Sequence, residues 1–126
     1  MTSDPHPYSP AFVAGDTVYV SGALSVDADG CAVAGRREAL DAAAARLIER
    51  LATAGATLAD VVKTTYFVTD VTLRDEANAQ YEELFAVPRP ARSFVAVAAL
   101  PYGATVEIEA IARLARPATG RPGVAG

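Results

Sequence analysis

Apolar and polar residues alternate near the start of the chain, a pattern that is typical of strands. Val18 and Val20 alternate with polar neighbours, which predicts a half-buried strand. The tripeptide AGD separates this segment from a shorter apolar segment before it, and such a tripeptide favours a turn. Residues 8–22 are therefore predicted to form two short strands around a turn.

Helical spacing of apolar residues appears first in residues 37–54. The apolar positions are Leu40, Ala43, Ala44, Leu47, Ile48 and Leu51. This spacing predicts an amphipathic helix, with Arg46, Glu49 and Arg50 on the opposite, solvent-facing side. Gly55 is a natural stop at its carboxyl end.

A second helix is predicted over residues 72–85. Thr72 and Asp75 resemble a capping box at its start, and Pro88 and Pro90 end it. Its apolar stripe consists of Ala77, Tyr81, Leu84 and Phe85.

Three further strands are predicted from β-branched, aromatic and apolar runs. Residues 59–71 form one, and the segments RSFVAVAAL and TVEIEAIARL, joined by PYGA, are most simply an antiparallel hairpin. The order β-β-α-β-α-β-β predicts an α+β domain with two helices on one face of a mixed sheet. Strand 94–99 is apolar on both faces, so it needs cover on both sides. Because the chain has no spare element, we expect another subunit to supply that cover.

Length and composition fit one globular domain, assigned to residues 1–116, followed by a Pro/Gly-rich tail at 117–126. The chain has 126 residues, of which 52% are hydrophobic and 21% charged. No run approaches the roughly 20 apolar residues of a membrane span, and MTSDPHPYSP does not resemble a signal peptide. With a single cysteine, Cys31, no internal disulfide can form, so a cytoplasmic location is expected.

Charge and residue counts exclude several classes of function. The net charge of −4 argues against a nucleic-acid backbone as the main partner. One histidine and one cysteine cannot build a Cys/His zinc site within one chain. The nucleotide-binding, zinc-protease and serine-hydrolase motifs are absent. We expect His6 to belong to a leader segment and Cys31 to an inert loop.

Three charged residues near the end of the chain do not fit a purely structural pattern. Glu107 and Glu109 lie on one face of the last strand, and Arg92 stands at the mouth of an apolar strand. In one interpretation the carboxylates are solvated and paired with Arg92 or Arg113. In the other, a desolvated carboxylate becomes a usable acid or base, and Arg92 grips a substrate carboxylate as a bidentate fork. Composition and periodicity do not decide between them.

The segment PARSFVAVAALPYGATVEIEAIARL closely resembles the signature of the Rid/YjgF family, the reactive-intermediate deaminases that hydrolyse enamines and imines. YSPAFVAGDTVYVSG, DVVKTTYFVTDV and ANAQYEELF are similar to further segments of that family, so the resemblance covers about residues 7–115. It implies a chorismate-mutase-like α+β fold that assembles as a homotrimer with clefts between subunits. It also implies a small carboxylate-bearing imine or enamine as substrate, and its hydrolysis needs no metal or redox cofactor. Because of the charge and the lack of a long apolar run, neither nucleic acid nor a membrane is expected as a partner.

The resemblance assigns roles to particular residues. Arg92 takes the place of the arginine that binds the substrate carboxylate, and Glu107 that of the glutamate that holds or activates water. The remaining implied pocket residues are Tyr8, Ser21, Gly22, Asn78 and Phe94. Two positions depart from the family pattern, because Ala23 stands where Gln is frequent and Phe94 where Cys is common. These departures are expected to reshape the pocket.

The function implied is hydrolysis of 2-aminoacrylate-type enamines and 2-imino acids to 2-oxo acids and ammonium. Arg92 would clamp the carboxylate, and Glu107 would orient water and shuttle protons. Two alternatives remain open at this point. One is hydrolysis or cyclisation of a larger imine in a specialised biosynthetic pathway, and the other is a non-enzymatic role in small-molecule binding or protein interaction.

Overall fold

The computed structural model describes residues 6–115. It contains five strands and two α-helices: β1 (Ala11–Ala14), β2 (Thr17–Leu24), α1 (Arg36–Thr53), β3 (Val61–Val68), α2 (Arg74–Leu84), β4 (Ala91–Ala96) and β5 (Val106–Arg113). The predicted order of elements is confirmed. The tail assigned to residues 117–126 and the domain end at residue 116 lie outside the described residues.

The five strands form one mixed sheet in the order β1-β2-β5-β3-β4. β3 and β4 are parallel, whereas every other neighbouring pair is antiparallel. Because α2 connects the two parallel strands, β3, α2 and β4 form a crossover unit. Both helices pack on one face of the sheet, so the predicted α+β class is confirmed.

The predicted hairpin between the last two strands is wrong. β4 pairs with β3 at the edge of the sheet, and β5 inserts on the other side of β3, between β3 and β2. The connection at 97–105 is too long for a tight hairpin turn, and it crosses over the carboxyl end of β3, where Thr69 N donates to Thr105 O at 3.1 Å. β4 also begins earlier than predicted, so Arg92 lies inside the strand rather than at its mouth.

β5 alternates as predicted between a buried and a more exposed face. The buried side chains, which face the helices, are Val106, Ile108, Ala110 and Ala112. In β3 the buried residues Thr64 and Tyr66 lie on the same face as these. The core therefore lies between the sheet and the two helices.

Helix α1 begins and ends within one residue of the prediction, and Gly55 follows it with a φ of 76°. Two side chains are placed differently. Ile48 is 41% exposed, whereas Arg50, predicted to face solvent, is only 8% exposed. The buried face of α1 therefore includes Arg50 and leaves out Ile48, which the spacing of the apolar residues alone does not indicate.

The start of α2 also differs from the prediction. A short 3-10 turn, Val71–Leu73, precedes the helix, and the Asp70 carboxylate accepts a hydrogen bond from Thr72 N at 2.9 Å. Thr72 donates its own hydroxyl to Asp70 as well, so Thr72 is not the capping residue. Asp70 is therefore the capping residue, instead of the predicted pair Thr72 and Asp75.

The sheet face away from the helices is open in a single chain. Phe12, Tyr19 and Val95 lie on it and are 62%, 51% and 41% exposed. An apolar surface on a second face agrees with the pattern expected of a strand covered from both sides. Cover by another subunit remains a prediction.

None of the helices in residues 6–115 has the length and apolar character needed to cross a lipid bilayer.

A buried polar network connects the two helices to β3. The Tyr66 hydroxyl donates to Gln80 Oε1, and Gln80 Nε2 donates to Asp41 Oδ1, both at 2.9 Å. Arg37 Nε donates to the same Asp41 oxygen. Gln80 is fully buried in α2, at a position that the apolar pattern of the helix does not reveal.

We expect Gln80→Leu to lower the free energy of unfolding by about 1–3 kcal/mol, because it leaves the buried Tyr66 hydroxyl without its acceptor. Urea denaturation measures this change, with Glu82→Leu on the exposed side of α2 as the matched control. Adding Tyr66→Phe to Gln80→Leu should cost less than Tyr66→Phe alone. Equal costs in both backgrounds would contradict the network.

Candidate functional site

Arg92 lies on the helix-covered face of β4, surrounded by aromatic rings. Its guanidinium carbon is 4.9 Å from the centroid of the Tyr81 ring, 5.1 Å from that of Phe94 and 5.3 Å from that of Tyr66. Such distances are typical of cation–π contacts. Arg92 Nη2 also donates to Asn78 Oδ1 on α2. We call these five residues the arginine cage.

One donor of the cage remains unused. Arg92 Nη1 is buried and has no hydrogen-bond partner, and burial lowers the pKa of the guanidinium, partly opposed by Tyr66 and Tyr81. Neither Glu107 nor Glu109 forms an ion pair with Arg92 among the described residues, and Arg113 pairs with Asp16 at 3.2 Å instead. The interpretation in which these glutamates pair with Arg92 or Arg113 is therefore not supported.

The cage opens onto a surface cleft. Its lining includes Asn78, Tyr81, Arg89 and Arg92. A guanidinium held by aromatic rings at such a cleft, with a donor unpaired, is suited to a planar anion such as a carboxylate.

Glu107 lies on the open face of the sheet, on β5. It is half-buried, and a Cβ atom added at Gly22 would collide with its carboxylate. A bulge in β2 between Val20 and Ala23 places Ser21 and Gly22 at this point. Burial raises the pKa of Glu107, Glu109 raises it further, and the charge of Arg50 opposes both effects. The carboxylate therefore holds a proton more readily than an ordinary glutamate does.

Ser21 holds residues 8–10 against this part of the sheet. Its backbone N–H donates to Pro10 O at 3.0 Å and its hydroxyl donates to Ser9 O at 2.7 Å. Tyr8 thereby lies at the edge of β2, where its ring centroid is 6.0 Å from the guanidinium carbon of Arg50. We call Tyr8, Ser21, Gly22 and Glu107 the glutamate group.

The structure thus gathers the predicted site residues into two groups and keeps these groups apart within one chain. The register places Arg92 beside Thr64, on the helix side, and Glu107 beside Phe67, on the open side. β5 and β4 are also separated by β3, which amounts to about 10 Å of strand spacing. A single protomer therefore does not bring Arg92 and Glu107 to the same small molecule.

The two departures from the family pattern have different positions. Phe94 forms a wall of the arginine cage, and its part in shaping a substrate pocket stays a prediction. Ala23 is fully buried in the core opposite Ile108, so it lines neither group. The expectation that Ala23 reshapes the pocket is therefore wrong.

Sequence reasoning missed three residues near these groups. Tyr66 and Tyr81 were assigned to a strand and an apolar stripe, without their contact with Arg92. Arg50 was assigned to the solvent-facing side of α1, although it lies three residues after Leu47 and seven after Ala43, a spacing that permits a place on the buried side. Among residues 6–115, no cluster of three or more His, Cys, Asp or Glu side chains could hold a metal ion.

Comparison with known proteins identifies relatives across nearly the whole chain. The family model described as "Endoribonuclease L-PSP" matches residues 1–114. The 2-iminobutanoate/2-iminopropanoate deaminase of Homo sapiens is 38% identical over 108 residues, covering 84% of this chain and 79% of that protein. The deaminase of the same name from Bos taurus is 41% identical, with the same coverage.

Solved structures agree with these relatives. The YjgF gene product of E. coli superimposes with a TM-score of 0.78 at 34% identity, covering 87% of this chain and 90% of that one. RidA from the Antarctic bacterium Psychrobacter sp. PAMC 21119 gives a TM-score of 0.74 at 32% identity, covering 89% and 92% of the two chains. Since the fold and the sequence agree over this length, the chain belongs to the Rid/YjgF family.

Proposed function

We propose that this protein hydrolyses 2-imino acids, and the enamines that give rise to them, to 2-oxo acids and ammonium. The observation that carries the proposal is the buried, unpaired Nη1 of Arg92 in its aromatic cage at an open cleft. The proposal is also supported by relatives about 40% identical that are named 2-iminobutanoate/2-iminopropanoate deaminase.

Arg92 supplies the grip on the substrate carboxylate. Asn78 fixes the Nη2 side of the guanidinium and leaves Nη1 to bind an incoming oxygen. Because the surrounding rings exclude water, a charge-assisted hydrogen bond there is stronger than it would be on an open surface. Phe94, which forms a wall of the cage, would contact the substrate side chain.

Glu107 supplies the proton relay. As a carboxylate it accepts a proton from water as the water oxygen bonds to the imine carbon, and the proton then passes to the substrate nitrogen. The proton of the new hydroxyl passes through Glu107 to the amino nitrogen, and the carbon–nitrogen bond breaks with its electron pair on nitrogen to leave the 2-oxo acid and ammonia. Ammonia then takes a proton from solvent to become ammonium. The raised pKa of Glu107 suits a group that both takes up and releases this proton. No electron transfer is required.

The other residues of the glutamate group have supporting roles. Gly22 leaves the space in which the Glu107 carboxylate lies, and its backbone would line the pocket. Ser21 positions Tyr8 through its hydrogen bonds to Ser9 and Pro10. The Tyr8 hydroxyl would then hydrogen-bond the substrate or the water.

Arg92 and Glu107 would meet in a cleft between two subunits of a homotrimer. Within one chain they lie on opposite faces of the sheet, whereas a neighbouring chain can bring its arginine cage towards the glutamate group. The apolar side chains on the open face, Phe12, Tyr19 and Val95, provide a surface for such an assembly.

Cleavage of RNA, which the description of the family model suggests, is less well supported. The chain has a net charge of −4 and a single lysine, and Glu107 and Glu109 add negative charge on the open face. A nucleic-acid backbone requires clustered positive charge.

We expect Arg92→Ala to lower kcat/KM for imine loss by about 10–100-fold, which corresponds to the loss of hydrogen bonds to a charged group. Arg92→Lys keeps the charge but not the fork, so it should recover only part of the activity. A coupled assay in which a dehydratase generates the imine measures both. Arg89→Ala, in the same cleft, is the matched control, and folded Arg92→Ala with wild-type activity would refute the assignment.

We expect Glu107→Gln to lower kcat by about 10²–10⁴-fold and yet to raise the free energy of unfolding at neutral pH. The native protein binds the Glu107 proton more tightly than the unfolded chain does, so ionisation of this group destabilises the fold as pH rises above about 4.3. The stability gain of the variant should therefore grow from acidic to neutral pH in urea titrations. A gain that is the same at every pH would show that Glu107 has no raised pKa.

We expect Arg92→Ala and Glu107→Gln to complement each other when co-expressed in equal amounts. If each cleft takes its arginine from one subunit and its glutamate from the next, about one quarter of the clefts in mixed assemblies are intact. Activity of the purified mixed oligomer should reach about that fraction of wild type, whereas separately purified variants mixed without subunit exchange stay inactive. Absence of recovery in assemblies shown to be mixed would place both residues in one chain's site.

A further inference from the structure

A buried pair of hydroxyl groups lies beside the arginine cage. Thr64 is fully buried on the helix-facing side of β3, and it is the direct register partner of Arg92 on β4. Its Oγ1 lies 2.7 Å from the hydroxyl oxygen of Tyr81, which is a hydrogen-bonding distance. This hydrogen bond connects one ring of the cage to the strand next to it.

The Tyr81 hydroxyl has further partners on the chain that leads to Arg92. It donates to the backbone carbonyl oxygens of Pro90, at 3.4 Å, and Ala91, at 3.5 Å. The arrangement that satisfies both hydroxyls has Thr64 donating to Tyr81 and Tyr81 donating to these carbonyls. Thr64 is the shorter and better-placed partner, so it fixes where the Tyr81 hydroxyl lies.

Thr64, Tyr81, Asn78 and Arg92 form a closed set of contacts. Asn78 and Tyr81 are three residues apart on α2, a spacing that places both on one face of the helix. Asn78 accepts a hydrogen bond from Arg92 Nη2. The Tyr81 ring, whose centroid is 4.9 Å from the guanidinium carbon, is the nearest of the three rings of the cage. Thr64 thus holds α2 to the sheet where the helix meets the guanidinium.

A threonine is not needed at this position for a well-packed core. Valine has nearly the same shape, and the core-facing residue at the end of the same strand is Val68. A buried hydrogen bond contributes little net stability, because both hydroxyls give up hydrogen bonds to water on folding. What the hydroxyl adds is direction, since a hydrogen bond restrains the angle of its partner and an apolar contact does not.

We propose that Thr64 is a positioning residue of the arginine cage, whose buried hydroxyl holds the Tyr81 ring against the Arg92 guanidinium and so fixes the group that grips the substrate carboxylate. The inference rests on the proposed function for its catalytic meaning. Its physical content, the restraint of Arg92 by Thr64 through Tyr81, is testable without any assay of activity.

The first test measures binding of 2-oxobutanoate, a stable 2-oxo acid, by calorimetry. We expect Thr64→Val to weaken its binding by about 2–10-fold, the effect of one neutral hydrogen bond. Thr64→Ser keeps the hydroxyl and should bind within about twofold of wild type. The matched control is Thr53→Val, which removes a hydroxyl that donates to Arg50 O at the end of α1 and should leave the affinity unchanged. If Thr64→Val does not fold, Tyr81→Phe removes the same hydrogen bond.

The second test observes Arg92 directly. Nitrogen-15 relaxation of the Arg92 Nε–H group, assigned with Arg92→Lys, gives the order parameter of the guanidinium. We expect it to fall in Thr64→Val from the range of a rigid group, about 0.85, towards that of a flexible one, about 0.6. Thr64→Ser and Thr53→Val should retain the wild-type value.

The third test asks whether Thr64 acts through the cage. In the coupled imine assay, Thr64→Val should raise KM by the same factor as it weakens binding and leave kcat nearly unchanged, because the carboxylate is held alike before and during the reaction. Thr64→Val should have no further effect on kcat/KM in an Arg92→Ala background, and little in a Tyr81→Phe background. A residue that merely stabilises the fold would not show this dependence.

An unchanged affinity for 2-oxobutanoate in Thr64→Val overturns the inference, and so does an unchanged Arg92 order parameter. An equal loss of affinity in Thr53→Val, or an undiminished effect in the Arg92→Ala background, also overturns it. If wild type hydrolyses no imine, the proposed function fails, while the order parameter still decides whether Thr64 restrains Arg92.

Discussion

The pairing register of β5 with its two neighbours is the constraint on which both functional groups depend. Ile108 and Glu107 are adjacent in sequence, yet the two-residue period of a strand sends the first into the core and the second to the open face. A shift of one residue would bury the carboxylate under the helices and expose the isoleucine. The buried residues of β5 therefore fix the position of Glu107, and the bulge in β2 leaves the space beside Gly22 that its carboxylate fills.

Two guanidinium nitrogens, buried without a hydrogen-bond partner, are the main energetic anomaly in residues 6–115. Arg92 and Arg50 each keep Nη1 buried and unpaired, although each could be replaced by an apolar side chain at lower cost to the fold. The aromatic rings around Arg92 partly offset the lost hydration through cation–π contacts, whereas among the described residues Arg50 has the more distant Tyr8 ring alone. Groups that weaken the fold in this way concentrate at sites of binding and catalysis.

Local patterns predicted the elements well. Apart from the cap at the start of α2, the main failures concern contacts between residues distant in the chain. The alternation in β5 and the apolar spacing in α1 are local properties, so the element order and the buried face of β5 followed from the sequence. The partner of β4 depends instead on the crossover through α2 and on the path of residues 97–105, which no local period encodes. Arg50 was misplaced and Gln80 was overlooked, because a periodicity of apolar residues cannot reveal a polar residue that is buried.

The same limit explains how much of the candidate site the sequence could provide. The resemblance to the Rid/YjgF family pointed to Arg92, Glu107 and the other predicted pocket residues. It gave no indication that these residues lie on two faces of one sheet. That separation follows only from the register of β3 with β4 and β5.

A site divided between the two faces of a sheet has a physical consequence for the protein as a whole. In the proposed mechanism neither the cage nor the glutamate group would act on a small imino acid alone, because the first would provide the grip and the second the proton relay. If neighbouring chains complete the site, the free energy that buries Phe12 and Tyr19 between subunits also brings the reacting groups together. Assembly then supplies the positioning that a larger chain would obtain by folding around its substrate. Because imines also hydrolyse without a catalyst, the barrier needs to be lowered only modestly. This positioning together with one proton relay would be sufficient for that.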